Sequence, residues 1–135
     1  MEADIINIGY REYARFFNLE EARALLPLIK KITHETYSAL DPLRRELRAM
    51  SIVDDMSPQL ELDYKRGVED WIEKMNRLGV IPVTLGMVNF DTGDGYLNWK
   101  YPEVDLSHYH DYDSHYKDRK PLERVMLQQS PDWAS

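Results

Sequence analysis

Cysteine is absent from the chain. That excludes a disulfide framework, thiolate metal sites and cysteine catalysis, and it fits a reducing, cytoplasmic setting. Long apolar runs are missing as well. No stretch approaches the ~18 consecutive apolar residues of a membrane helix, so no membrane association is expected. The opening "MEADIINIGYREYARFF" has neither a basic start nor an apolar block, so no secretory signal is expected there. Basic charge is in deficit: 17 Lys and Arg stand against 24 Asp and Glu, a net charge of −7. An acidic surface repels phosphate backbones, so nucleic acid is not an expected partner. The one basic run, "RRELR" at Arg44–Arg48, is diluted by Glu46 and reads as a solvated helix face. There is no G-x-S-x-G, no P-loop and no G-x-G-x-x-G, so the hydrolase and nucleotide-binding classes those motifs mark have no support.

What remains is a chain of 135 residues with 43% hydrophobic content, enough for one domain with its own core. "FFNLEEARALL" carries a capping box, Asn18 with Glu21, and a hydrophobic staple, Phe17 with Ala22, so a helix should begin at Leu19. An apolar stripe follows at Leu25, Ile29, Ile32, Thr36, Leu40, Leu43, Leu47 and Met50, with the alternating three- and four-residue steps of a packed seam. Pro27 should kink this helix, and Asp41–Pro42 is a second interruption, so one bent helix and two collinear ones are both open. After the link "SIVDDMSP", Ser57 and Pro58 should start a second helix that runs to Leu78 and stops at Gly79. Its stripe is Leu60, Tyr64, Val68, Trp71, Met75 and Leu78. Glu61–Lys65, Asp70–Lys74 and Glu73–Arg77 place acid before base at i, i+4 on its solvated side. A short link between long helices implies an antiparallel hairpin.

Beyond Gly79 the composition turns β-branched. Pro82 marks an edge or an entry point. "DTGDG" is a turn, lacking the acidic spacing of a calcium loop, and it should join strands Leu85–Phe90 and Tyr96–Tyr101. In the second strand Leu97, Trp99 and Tyr101 share one face, and Tyr96, Asn98 and Lys100 the other. The expected fold is thus α+β: one domain made of an N-terminal extension (1–16), a helical hairpin (17–78), a β-hairpin with a His/Asp-rich segment (79–122), and a tail (123–135). The tail should form a turn or two of helix and then fray at "SPDWAS".

Three of the four histidines lie in "SHYHDYDSHY", Ser107–Tyr116. If Val104–Asp111 is extended, His108 and His110 continue the apolar face of Val104 and Leu106. Two imidazoles on one strand face, joined by His115, Asp113 or Glu103, form a nitrogen and oxygen set that a divalent ion such as zinc or iron accepts. Without metal, His110 beside a carboxylate is an acid–base group, and Arg119 is a clamp for a small anion or a fork on Glu103 or Asp113. The bland alternative is a pair of core histidines bonded to Asp105, Asp111 or Asp113. Tyr109, Tyr112 and Tyr116 suit ligand stacking and a subunit interface equally. Surrounding aspartates should raise the histidine pKa values.

These segments together resemble the bacterial family catalogued as "domain of unknown function 2203". The likeness is carried by "FNLEEARALLPLIKKI", "LGV", Trp99, Glu103 and "HDYDSHYKDRKPL", and spans Phe17 to Leu122. It implies a small α+β domain and no particular activity, and it singles out Glu103, His110, Asp113 and Arg119 as the shared polar set. His115 stands where members usually carry a small residue, and His108 where an apolar or aromatic one is expected, so these two are local additions. Two classes of function follow. One is a structural or interaction protein, most simply a homodimer, because a two-helix hairpin cannot cover its own seam on all sides. The other is a metal- or small-anion-binding protein, with the enzyme question open.

Overall fold

The computed structural model describes residues 15–50 and 58–134. Ser57, the link before it and most of the N-terminal extension lie outside the described residues. Helix α1 runs Leu19–Met50 and helix α2 Pro58–Arg77. Five strands follow: β1 Ile81–Thr84, β2 Met87–Asp91, β3 Gly95–Lys100, β4 His108–Asp111 and β5 Lys120–Pro121. Helix α3, Leu122–Gln129, and a 3-10 turn at Asp132–Ala134 complete the described chain.

The capping box forms as expected. Glu21 N–H donates to Asn18 Oδ1 at 2.7 Å, and Asn18 N–H to Glu21 Oε1 at 2.9 Å. The staple pair Phe17 and Ala22 is buried. Helix α1 passes Pro27 and Pro42 as one helix of 32 residues, about 48 Å long. Buried neighbours flank Pro27, Leu26 on one side and Ile29 on the other, and Leu40 is buried just before Pro42. The seam is rotated from the expected stripe: the buried positions are Leu19, Ala22, Leu26, Ile29, Thr33 and Leu40. Thr33 belongs there because its Oγ1 accepts from Trp71 Nε1 at 2.9 Å, so a polar atom is satisfied where α1 meets α2. Gly79, at φ 86°, ends α2 in a Schellman motif. Val80 N–H reaches Met75 O, Gly79 N–H reaches Asn76 O, and the apolar pair Met75 and Val80 is sealed from water.

The sheet is an antiparallel meander in the order β1-β2-β3-β4-β5. It contains the expected hairpin and extends it by a strand on one side and two on the other. Pro82 sits in edge strand β1, where a missing N–H costs least. Leu85 and Gly86 turn the chain from β1 into β2 rather than beginning the second strand. Gly86 has φ +84°, and a Cβ there would run into the Tyr37 hydroxyl, which donates to Leu85 O at 3.1 Å. Gly86→Ala is therefore expected to destabilise by roughly 1–3 kcal/mol, the cost of a left-handed non-glycine residue, read as a lowered urea midpoint at unchanged slope.

One sheet face packs on the helices. Val88 pairs with Trp99, Phe90 with Leu97, and Leu97 with Tyr109. All five join Leu26, Ile29, Trp71, Met75, Leu122 and Val125 in one core cluster. Through Ala134 the tail does not fray. Trp133 is buried and stacks on Tyr109 with ring centroids 5.2 Å apart, and a large aromatic surface taken from water holds the last described turn down.

Candidate functional site

The opposite sheet face is polar yet largely enclosed. Its register places Asn89 beside Asn98, Asn98 beside His108, Tyr96 beside His110, and His108 beside Pro121. This corrects the extended reading of Val104–Asp111. Leu106 and Tyr109 are three residues apart and both lie in the core, so strict alternation cannot run through them. The strand begins at His108. The two histidines therefore face away from the apolar core, and Val104, 73% exposed, shares no buried face with them.

A directed hydrogen-bond chain runs across this face. Arg119 lays its guanidinium on Glu103 as a two-pronged fork, Nη1 to Oε1 at 3.0 Å and Nη2 to Oε2 at 2.7 Å. Nη1 also donates to Asn98 Oδ1 at 3.1 Å. Because arginine only donates, the Asn98 amide is fixed with Oδ1 toward it. Asn98 Nδ2 then donates to Asn89 Oδ1 at 2.7 Å. That same oxygen lies 3.3 Å from His110 Nε2, and like the main-chain oxygen at Nδ1 it is an acceptor, so a neutral ring donates to one of the two at a time. His110 Nδ1 lies 3.1 Å from the main-chain oxygen of Asp111. Asn98, His110 and Asn89 are 0%, 3% and 6% exposed, so this chain is an interior network built on a sheet face.

Of the residues the sequence singled out, the fold joins Glu103, Arg119 and His110, the last through two asparagines. Arg119 forks on Glu103, one of the two acids expected for it. Asp113 is exposed in the turn after β4 and takes no part in the network. His115 caps the 3-10 turn Tyr116–Asp118, accepting from Lys117 N–H at 3.1 Å, and its ring leans on Tyr116. Among the described residues no group of three His, Asp or Glu side chains is placed to hold a metal ion. Tyr109 is core, and Tyr112, still partly exposed, donates to Asp91 against the edge of Tyr96. The sequence places Asn98 only on the face away from the core and does not single out Asn89, so neither reads there as part of a site. The available signal was asparagine, a residue depleted in strands, at the centre of both arms of one apolar hairpin.

His108 has its own arrangement. Its Nδ1 lies 3.5 Å from Glu103 Oε2, beyond good hydrogen-bond length, and is buried without another partner. Burial, followed by the positive charge of Arg119, holds its pKa below the ordinary value, against the opposing pull of Glu103. The expectation of a raised value fails here because burial, with Arg119 adding to it, outweighs the pull of Glu103. Glu103 is pushed up by burial, but the Arg119 hydrogen bonds, the Lys100 N–H at 2.8 Å and the nearby positive charge outweigh it, and its pKa is lowered.

Beside His108 a cleft of about 770 Å³ opens between α1 and the segment that leads into β4 and α3. A second hollow shares Pro27 and Lys30 with it and is lined by Lys31, His34, Trp99 and Tyr101. His34 is exposed on α1, and its Nδ1 lies 2.9 Å from the Tyr101 hydroxyl.

No helix among the described residues is long and apolar enough to cross a membrane. No curated protein and no solved structure matches the chain. A family model does, over residues 15–122, from the capping box through the Arg119 fork to the start of α3: the chain belongs to the family of uncharacterized conserved proteins DUF2203.

Proposed function

We propose that the protein is a homo-oligomeric structural or interaction module, most simply a two-fold dimer that shares the distal half of its helical hairpin. The observation that carries this is the contrast along the hairpin. The core cluster engages α1 only as far as Ile32 and α2 only from Trp71 onward. Past Thr33, Leu40 is the one buried residue in the described part of α1. Leu43, Leu47 and Met50 on α1, with Leu60, Tyr64 and Val68 on α2, are only partly covered. Two helices leave each side of their seam open, and a second copy packed across it would make the four-helix arrangement that covers such stripes.

The polar network suits this reading, since Arg119 and His110 are already spent on protein partners and act as a brace for the outer sheet face. Binding a metal or a small anion at His110 would require freeing a ring nitrogen from Asn89 or Asp111, or the guanidinium from Glu103.

Light scattering or sedimentation at micromolar concentration is expected to give twice the 16.0 kDa mass of the chain. Leu43→Glu with Leu47→Glu is expected to weaken association by about 100-fold or more, as charges at an interface centre do, with helical circular dichroism retained. A compact monomer for the unaltered chain would end the proposal.

A further inference from the structure

We infer that the cleft between α1 and the His108 edge of the sheet binds a small amphiphilic acid, a carboxylate or phosphate monoester on an apolar body. Arg23 and Lys30 hold the anion, the apolar lining of Pro27, Val104, Pro121 and Met126 takes the body, and His108 offers a hydrogen bond. This goes beyond the oligomeric reading and stands apart from it.

The size is right. About 770 Å³ falls within the ~300–1,000 Å³ of small-molecule sites. The base is preformed: Leu26, Leu106 and Leu122 are all under 7% exposed and belong to the core cluster, and the apolar lining a ligand would touch above them is Pro27, Val104, Pro121 and Met126. The cations come from one helix face. Arg23, Lys30 and Lys31 lie at i, i+7 and i+8 along α1, and the cleft and the adjoining hollow are both lined from that side. Arg23 has no ion pair or hydrogen bond among the described residues. Lys30 is held across the opening by donating to Val104 O at 2.8 Å, which leaves it two further hydrogens.

The acids that face them are Asp105 and Glu123, both exposed at the rim of the far wall. Glu103 behind them is neutralised by the Arg119 fork. Three cations against two free acids make the combined groove locally positive on a chain of net charge −7. The excess comes from Lys31 at the adjoining hollow, since the cleft itself pairs Arg23 and Lys30 with Asp105 and Glu123, and it favours an anion seated toward the Lys30 end. His108 completes the site. It lines the cleft; its Nδ1 is buried next to Glu103, whereas Nε2 is not among the buried unpartnered atoms and makes no protein hydrogen bond among the described residues, so it is the ring nitrogen left for a ligand. Its lowered pKa leaves the ring neutral near pH 7, able to make one hydrogen bond to the ligand through Nε2.

The test is a two-dimensional NMR titration of the full chain with phenyl phosphate, hexanoate, inorganic phosphate and benzyl alcohol in turn. At least one of the two amphiphilic acids is expected to shift Leu106, Ser107, His108 and Leu122 saturably below about 10 mM, the range of fragment affinities. Whether phenyl phosphate or hexanoate does so tells the phosphate source from the carboxylate source. Arg23→Glu and Lys30→Glu are each expected to weaken that binding by about tenfold or more, the value of one charge-assisted hydrogen bond. Arg23→Glu breaks no described contact, so it keeps the test valid if Lys30→Glu unsettles the fold. No saturable shift at these residues with either acid would overturn the inference. So would equal binding of benzyl alcohol, equal binding of inorganic phosphate, or indifference to Arg23→Glu.

Discussion

Trp71→Ala is expected to cost about 3–5 kcal/mol, the usual range for deleting a fully buried tryptophan. The indole is 0% exposed and sits where α2 meets both α1 and the sheet. Its removal forfeits transfer energy and leaves a cavity that backbone on two sides keeps from closing. It also strips Thr33 Oγ1 of the Nε1–H that satisfies it at 2.9 Å. Thr33→Val separates the two effects: it leaves the packing nearly intact and orphans only the indole N–H, for about 1–3 kcal/mol. Urea denaturation at fixed protein concentration measures both, since association would otherwise shift the midpoint. A Trp71→Ala loss no larger than that of Thr33→Val would show that the helix–sheet junction is not the centre of the core.

Arg119→Ala is the second large effect, about 2–4 kcal/mol. Breaking a fully buried ion pair costs ~3–5 kcal/mol, and this one is discounted because the side chains of Arg119 and Glu103 keep 21% and 25% of their exposure. The substitution leaves Glu103 with only the Lys100 N–H, and Asn98 Oδ1, in a residue 0% exposed, without its donor. Arg119→Lys should recover little, because an ammonium cannot fork on a carboxylate and reach an amide together. The acid limb changes too. Glu103 has a folded pKa below its ordinary 4.5. Its contribution is therefore full above that value and is lost as pH falls through the folded one. Without Arg119 this loss should largely vanish from the stability–pH curve. His108 acts at higher pH. Its folded pKa lies below 6.5, so the unfolded chain takes up the proton first and stability declines as pH drops beneath that value. Arg119→Ala removes one of the two causes of that depression and should shallow this limb as well. An unchanged acid limb in Arg119→Ala would mean that the fork does not set the charge state of Glu103.

The network and the core respond differently to sequence reading. Asn18 and Glu21 are three residues apart, and Met75, Gly79 and Val80 span a single turn, so the start of α1 and the stop of α2 are written in contiguous residues. Pro82 and the alternation of Leu97 and Trp99 likewise foretell an edge strand and a core-facing strand. The histidines behaved otherwise. Which face His108 and His110 occupy is a question of parity, and a single break between Leu106 and Tyr109 reverses it. Glu103 and Arg119 could be named as a pair, but their joining to His110 depends on Asn98 and Asn89, each 21 residues from its partner at one end of the chain.

By itself, the sequence determined the two long helices, the central hairpin and the α+β class, because capping, turn chemistry and periodicity act over one or two helical turns. It also limited the chemistry by what it lacks, cysteine above all. Only the tertiary structure decided that the segment around "SHYHDYDSHY" divides in two. His110 is locked into a sheet brace, and His108, read as the less promising residue, stands at an open cleft. The physical reason is that strand register and the closing of β5 against β4 are long-range pairings. Their free energy comes from burying the Leu97, Trp99 and Tyr109 face, and the polar side chains on the other face are carried to wherever that burial places them.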